Sequence, residues 1–379
     1  MTAQRWDPAV TDMAGIEPAS LADLYTANRR AVLDERDRLV ELAKRLRAAA
    51  TVRPQRSLPP RAVERVVDSC FHVARLVHEA LADDVLGTRH HVVNDELLDA
   101  HRAQETLDHL GSGASIVHDW GEHEYDAMID DLEEGIDLLD ALGSQDRQLF
   151  LFDPSGAGRV IEVIGDPISA RHVAVVVPGM GTTVQKFNAS VAARARRLHE
   201  VAANYAQAES VAVFAWLGYD APGSLDVVDA AVEELAGTGA RSLGEFAVAM
   251  SRLAPGAHRS VVAHSYGSVV AGLAAHRYGL PVDDLVVLGS PGLGVSHAEE
   301  LRINSGGRVW AVRARRDLVA SVPRLQVGAV NLHGASPYEA AFGARVVLID
   351  DEGHSSYLDD DHAVQVVSRI VMGEPLDEK

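Results

Sequence analysis

Val261-Val262-Ala263-His264-Ser265-Tyr266-Gly267-Ser268 is the stretch on which the reading of this chain turns. An apolar run ends in a small-x-Ser-x-Gly pentapeptide, and the small-residue segment Val269-Val270-Ala271-Gly272-Leu273-Ala274-Ala275 follows. That order is strand, sharp turn, helix, the setting in which a serine hydroxyl is held exposed as a nucleophile. Small residues are needed two places before and two places after the serine, because the turn is strained and strand and helix nearly touch there. Gly267 meets the second requirement. Ala263 stands where glycine is usual at the first, and a methyl is the smallest possible addition. The plain alternative is a strand-helix turn with an incidental Ser-Gly.

Composition bounds the rest. At 379 residues the chain exceeds one average domain, so two domains are expected. Apolar residues make up 47% and charged residues 24%, as in soluble globular proteins. The formal net charge of −20 argues against nucleic acid and anionic membrane surfaces as partners. A single cysteine, Cys70, allows neither an intramolecular disulfide nor a thiolate metal cluster. It falls on the apolar stripe of an expected helix, where a buried structural thiol is the natural reading. No secretory signal is visible at the N-terminus, and no run reaches the ~18 apolar residues of a membrane span. A cytoplasmic protein is the default expectation, with signal-less export left open.

Two regions are expected. Residues 1 to 147 read as helices only. The first is capped at Ser20, with Asp23 in a capping-box position, and carries Val32, Leu39, Ala43 and Leu46 on one stripe. Pro54 and Ser57-Leu58-Pro59-Pro60 interrupt the pattern. A second helix is striped by Val63, Val66, Cys70, Val73, Val77 and Leu81, and a third runs from Asn94 to Leu110. A fourth carries Ile129, Leu132, Ile136 and Leu139 within an acid-rich run, Asp119 to Asp140, whose acids should point to solvent. Residues 148 to 379 alternate strands and helices. A hairpin opens the region, and buried strands are expected at His172-Val177, Ser210-Ala215, Leu285-Leu288, Val309-Val312 and Arg345-Ile349. Helices are expected at Gln185-Gln207, Leu243-Leu253 and His362-Val371. Such alternation implies a mostly parallel sheet with helices on both faces.

A serine hydroxyl is a weak nucleophile until a base takes its proton, and the base needs a group that fixes its tautomer. In one recurrent chain order the serine is followed by an acid and then a histidine. Asp317, after the strand Val309-Val312, fits the acid, with Asp350 and Asp351 as substitutes. His354, on the loop after the last strand, fits the base, with His297 and His333 as alternatives. His264 should point away from the nucleophile and serve structure. An oxyanion needs backbone donors. The amide of Tyr266 is one, and the loop Val177-Pro178-Gly179-Met180-Gly181-Thr182-Thr183 offers the Met180 amide as the other, with Gly181 close behind. Gly179, Gly181, Ser290 and Trp216 are expected at the substrate pocket. A phosphate-loop reading of Gly179-Met180-Gly181 lacks the required lysine, and no zinc spacing is present, so neither metal nor cofactor is expected.

Taken with Gly289-Ser290-Pro291-Gly292, Arg315-Arg316-Asp317-Leu318-Val319, His333-Gly334-Ala335-Ser336-Pro337, Phe342-Gly343-Ala344 and Gly353-His354-Ser355-Ser356-Tyr357, these segments resemble the α/β-hydrolase superfamily. The similarity is to an actinobacterial branch of unassigned function whose members carry a helical N-terminal extension. The resemblance implies the α/β-hydrolase fold and a Ser-Asp-His hydrolase with Ser265, Asp317 and His354 as its triad. A small-molecule acyl substrate, cleaved through an acyl-enzyme, is the leading expectation, with acyl transfer as a variant. The alternative is a non-catalytic binding module whose N-terminal helices hold a protein partner.

Overall fold

The computed structural model describes residues 21–51, 122–154, 158–206, 210–222, 229–315, 317, 334–349, 353–354, 357–374 and 376. The expected second and third helices lie outside the described residues, as do Ser20, Cys70, His333, Asp350 and Asp351. Two compact units divide the chain. One holds Met1–Asn28, Gln145–Asp153 and Arg159–Lys379, the other Arg29–Ser144 and Pro154–Gly158.

In the second unit, helix α1 (Leu21–Thr51) continues from Arg29 and packs on α2 (Glu122–Leu142). The two come close. A β-carbon on Gly143 would lie 2.8 Å from Leu33 Cδ2, and one on Gly135 would lie 3.2 Å from Leu39 Cδ1. Val32, Ala43, Leu132, Leu139 and Leu142 are buried, while Asp130, Glu133, Glu134, Asp137 and Asp140 are exposed. The acids of α2 therefore solvate its outer face, and Arg36 pairs with Asp140 at 2.9 Å.

The first unit is built on one eight-stranded sheet. Its strands are β1 (Gln148–Asp153), β2 (Arg159–Ile164), β3 (His172–Val177), β4 (Val211–Leu217), β5 (His258–His264), β6 (Asp284–Leu288), β7 (Arg308–Ala314) and β8 (Arg345–Ile349). The spatial order is β1-β2-β4-β3-β5-β6-β7-β8. β2 is antiparallel to both its neighbours, and every later pairing is parallel. The residues of β3, β4 and β6 are buried without exception. Continuous Val/Ala/Leu runs of this kind belong to strands covered on both faces, since alternation would leave one face wet. The cover comes from α3 (Ala193–Ala206), which packs on α6 (Asp361–Val371), and from α4 (Asp229–Leu253), which packs on α5 (Tyr266–Arg277).

Two helices differ from their expected bounds. The helix after β3 opens as a π-turn at Asn188–Ala192 and becomes α-helical at Ala193, because Val184 to Phe187 form a turn closed by Phe187 N–H donating to the Val184 carbonyl at 3.0 Å. Helix α4 starts at Asp229, well before Leu243. Its glycines look like breakers in the sequence, but Gly239 serves packing. A β-carbon there would stand 3.0 Å from the Tyr219 ring.

The starts of the three parallel strands β5, β6 and β7 are stitched by one buried carboxylate. Asp284 accepts from His258 Nε2 at 2.7 Å, from Arg308 at 2.6 and 2.7 Å, and from Trp310 Nε1 at 2.7 Å. The opposite, carboxyl ends of these strands carry the candidate site, as expected for an open parallel sheet. No described helix is long and apolar enough to cross a membrane.

Candidate active site

Ser265 follows the last residue of β5 and precedes α5. Its backbone sits at φ 52° and ψ −126°, the one non-glycine residue with positive φ among the described residues. Such a conformation costs about 1–3 kcal/mol and persists only where the surroundings enforce it. Here the enforcement is visible. Ser265 N–H donates to the Leu288 carbonyl at 2.9 Å, and Ser268 Oγ donates to the Ser265 carbonyl at 2.5 Å. A β-carbon on Gly267 would lie 2.4 Å from the Pro178 carbonyl oxygen, so only glycine lets the helix start this close to the loop after β3. Ala263 is fully buried, and its methyl is accommodated in the core.

His354 Nε2 lies 2.8 Å from Ser265 Oγ. On the other side of the ring, Nδ1 lies 3.1 and 3.0 Å from Asp317 Oδ1 and Oδ2. A carboxylate can only accept, so this contact places the ring proton on Nδ1 and leaves Nε2 to accept from the serine. Asp317 is buried, whereas Ser265 and His354 keep partial exposure. The three residues span 89 positions and meet because β5, β6, β7 and β8 pair in parallel, with their loops at one end of the sheet.

The loop after β3 faces the serine from the other side. A β-carbon on Gly179 would stand 2.9 Å from Ser265 Cβ. Tyr219 Oη donates to the Pro178 carbonyl at 2.9 Å and so holds the start of this loop. Met180, half-buried, comes next. Gly181 adopts φ 69° and its N–H donates to the Pro222 carbonyl at 2.9 Å, which turns that amide to structural use. Tyr266 opens α5, where first-turn amides and the helix dipole favour negative charge.

Other residues expected near the site have different surroundings. Trp216 is fully buried in β4 and stacks on Tyr219 with centroids 5.8 Å apart, and Tyr219 in turn stacks on Tyr266. Ser290 is buried, with Oγ 2.6 Å from Ser268 Oγ and accepting from Gly292 N–H at 3.0 Å. His297 is exposed, with Nδ1 3.1 Å from the Ala341 carbonyl. His264 turns from the nucleophile to the base loop. Its Nε2 lies 2.6 Å from the His354 carbonyl, and the two rings sit 5.0 Å apart. Burial, only partly offset by that hydrogen bond, lowers the His264 pKa to about 4. Behind it a cavity of about 10 Å³, lined by Val176, Pro178, Val191, Arg194, His264 and Tyr357, has room for about one water. Among the described residues no cluster of three or more His, Cys, Asp or Glu is arranged to hold a metal ion.

Three residues to which the sequence reading gave no role join the site. Tyr357 is buried and donates from Oη to Asp317 Oδ2 at 2.5 Å. Tyr338 Oη accepts from Ser290 N–H at 2.7 Å. Gly289, at φ 55°, lies against the Asp317–His354 pair. The segments Gly353-His354-Ser355-Ser356-Tyr357 and Gly289-Ser290-Pro291-Gly292 are the signals the sequence carries for Tyr357 and Gly289, and no local pattern marks Tyr338.

Residues 153–327 match the family model described as alpha/beta hydrolase. This region has the α/β-hydrolase fold. Among curated relatives it is similar to uncharacterized protein Rv2079 of Mycobacterium tuberculosis (strain H37Rv), with 33% identity over 189 residues, 47% of this chain and 28% of that protein. It is also similar to uncharacterized protein Mb0988c of Mycobacterium bovis, with 32% identity over 171 residues, 42% of this chain and 62% of that protein. The chain thus spans less than a third of the first relative and under two thirds of the second. Solved structures similar to this chain include a dienelactone hydrolase from Anabaena variabilis, with TM-score 0.38 and 15% identity over 60% of this chain and 97% of that one. Esterase PE8 matches with TM-score 0.37 and 13% identity, covering 56% of this chain and 97% of that one.

Proposed function

We propose that the protein is a serine hydrolase that cleaves a carboxylic ester or related acyl bond through an acyl-enzyme. The observation that carries this reading is the hydrogen-bonded chain from Ser265 Oγ through His354 to Asp317, attached to a serine in a strained, enforced backbone conformation. In this reading His354 Nε2 takes the Ser265 proton as Oγ attacks the acyl carbon, and Asp317 holds the resulting imidazolium. The oxyanion that forms on the acyl oxygen accepts from the Tyr266 and Met180 amides. His354 then returns the proton to the leaving alcohol. Water, deprotonated by the same imidazole, releases the acid and restores Ser265.

Gly179 lets the acyl group approach because it carries no side chain toward Ser265. Trp216 and Ser290, both buried, act in this reading only through Tyr219 and the Ser268 hydrogen bonds that hold the serine turn. A fluorophosphonate probe tests the reading. Covalent labelling of the folded protein is expected, and Ser265→Ala should abolish it. A folded wild type that resists the probe and turns over no chromogenic ester would overturn the proposal.

A further inference from the structure

We infer that Tyr357 is a positioning residue that fixes the carboxylate of Asp317 against His354, an inference that rests on the reading of these residues as a catalytic chain. Three hydrogen bonds close a small ring between the acid and the strand that delivers it. Asp317 N–H donates to the Ala314 carbonyl at 3.1 Å. Ala314 N–H donates to Tyr357 Oη at 3.0 Å. Tyr357 Oη donates to Asp317 Oδ2 at 2.5 Å.

The direction of the last bond is forced. A backbone N–H can only donate, so the phenol oxygen accepts from Ala314, and its single proton is left for the carboxylate. The phenol keeps that proton. Burial first, and the neighbouring Asp317 as well, push its ionisation far above the ordinary tyrosine range. Ala314 is the final residue of β7, so the ring ties the carboxylate to the end of the sheet. The same carboxylate oxygen reaches His354 Nδ1 at 3.0 Å. Tyr357 therefore sets where the acceptor of the imidazole proton lies, and it is itself locked by full burial and by its contact with the His264 ring at 5.9 Å.

Tyr357→Phe keeps the ring and removes only the proton donor. Two measurements on the full chain separate this inference from the functional reading. The first is the downfield proton resonance of His354 Nδ1–H. Without its phenol tether the Asp317 carboxylate should drift from Nδ1 and the hydrogen bond weaken, so the resonance is expected to move upfield in the variant. The second is the rate of fluorophosphonate labelling together with ester kinetics. A roughly 10-fold loss in labelling rate and kcat is expected with KM unchanged, since a misplaced base geometry affects the reacting step and not substrate binding. An unmoved resonance and unchanged rates in a folded variant overturn the role of Tyr357. A wild type that is never labelled, but whose resonance moves in the variant, overturns the hydrolase reading and leaves the tether standing. If the variant does not fold, the wild type still decides. A slowly exchanging Tyr357 hydroxyl proton with an Overhauser contact to the His354 Nδ1 proton supports the tether, and a freely exchanging one refutes it.

Discussion

Gly289 lies directly against Asp317. A β-carbon at Gly289 would stand 2.7 Å from Asp317 Oδ2, 2.8 Å from the Tyr357 ring and 3.0 Å from His354 Nδ1. The glycine, at φ 55°, follows β6 where its neighbours β5 and β7 deliver the serine and the acid. Its bare α-carbon is the floor on which the imidazole and carboxylate meet. Gly289→Ala should displace both groups and add backbone strain. Labelling at Ser265 is expected to fall by about 100-fold, because a shift near 1 Å in reacting groups costs that much. Equal labelling rates for variant and wild type would show that the floor yields.

The approach of the loop after β3 to the elbow makes a second expectation. Gly267→Ala would place a methyl 2.4 Å from the Pro178 carbonyl oxygen, against backbone that cannot swing away. Overpacking of this kind costs about 1–3 kcal/mol. Gly179→Ala meets the Ser265 side chain at 2.9 Å instead. The first variant should lower the urea midpoint, and the second should lower labelling more than stability. Denaturation curves and probe kinetics on both variants check the contrast.

His264 links pH to stability. Its pKa in the folded chain is lowered to about 4, with burial as the chief cause. In the unfolded chain it protonates near the ordinary value of ~6.5. The unfolded state then binds the extra proton first as pH falls. Stability from this residue is complete above about 6.5 and drains away between there and about 4. His264→Gln retains a donor for the His354 carbonyl and removes the titration. Urea midpoints at neutral and mildly acidic pH should converge in the variant, and an unchanged slope would count against the assignment.

Asp284 makes the complementary prediction at the other end of the sheet. Burial pushes its carboxyl pKa up, but hydrogen bonds from His258, Arg308 and Trp310 outweigh burial and hold it below the ordinary range. The stability it contributes is therefore present above the unfolded value of ~3.9 and is lost as pH falls through the lower folded value. Asp284→Asn leaves Arg308 and His258 facing a neutral amide. Breaking a buried pair in this way costs about 3 kcal/mol or more. Thermal unfolding should show a lower Tm at neutral pH and a shallower acid limb, with probe labelling at Ser265 unchanged in the folded fraction.

Much of this was legible in the sequence. The runs His172-Val177 and Ser210-Ala215 read as buried strands alternating with helices, and the structure places β3 and β4 there, covered on both sides. The elbow follows from Ala263, Ser265 and Gly267, because the small side chains are a local steric demand of the turn. Asp317 and His354 are expected from their places after strands, and the structure brings both into hydrogen-bond contact with the chain that begins at Ser265. The early start of α4 was hidden, since glycine disfavours a helix interior and only the packing of Tyr219 against Gly239 shows why one stands there.

Local order, then, belongs to the sequence: periodicity and small-residue spacing decide strands, helices and the bend at Ser265, because they act over a few neighbouring residues. The tertiary structure alone decides that His264 turns to the His354 carbonyl, that Tyr357 donates to Asp317, and that Gly289 has no room for a side chain. Those contacts join residues tens of positions apart. They depend on the register of β5 through β8 and on which strand lies beside which, and no short-range pattern encodes either.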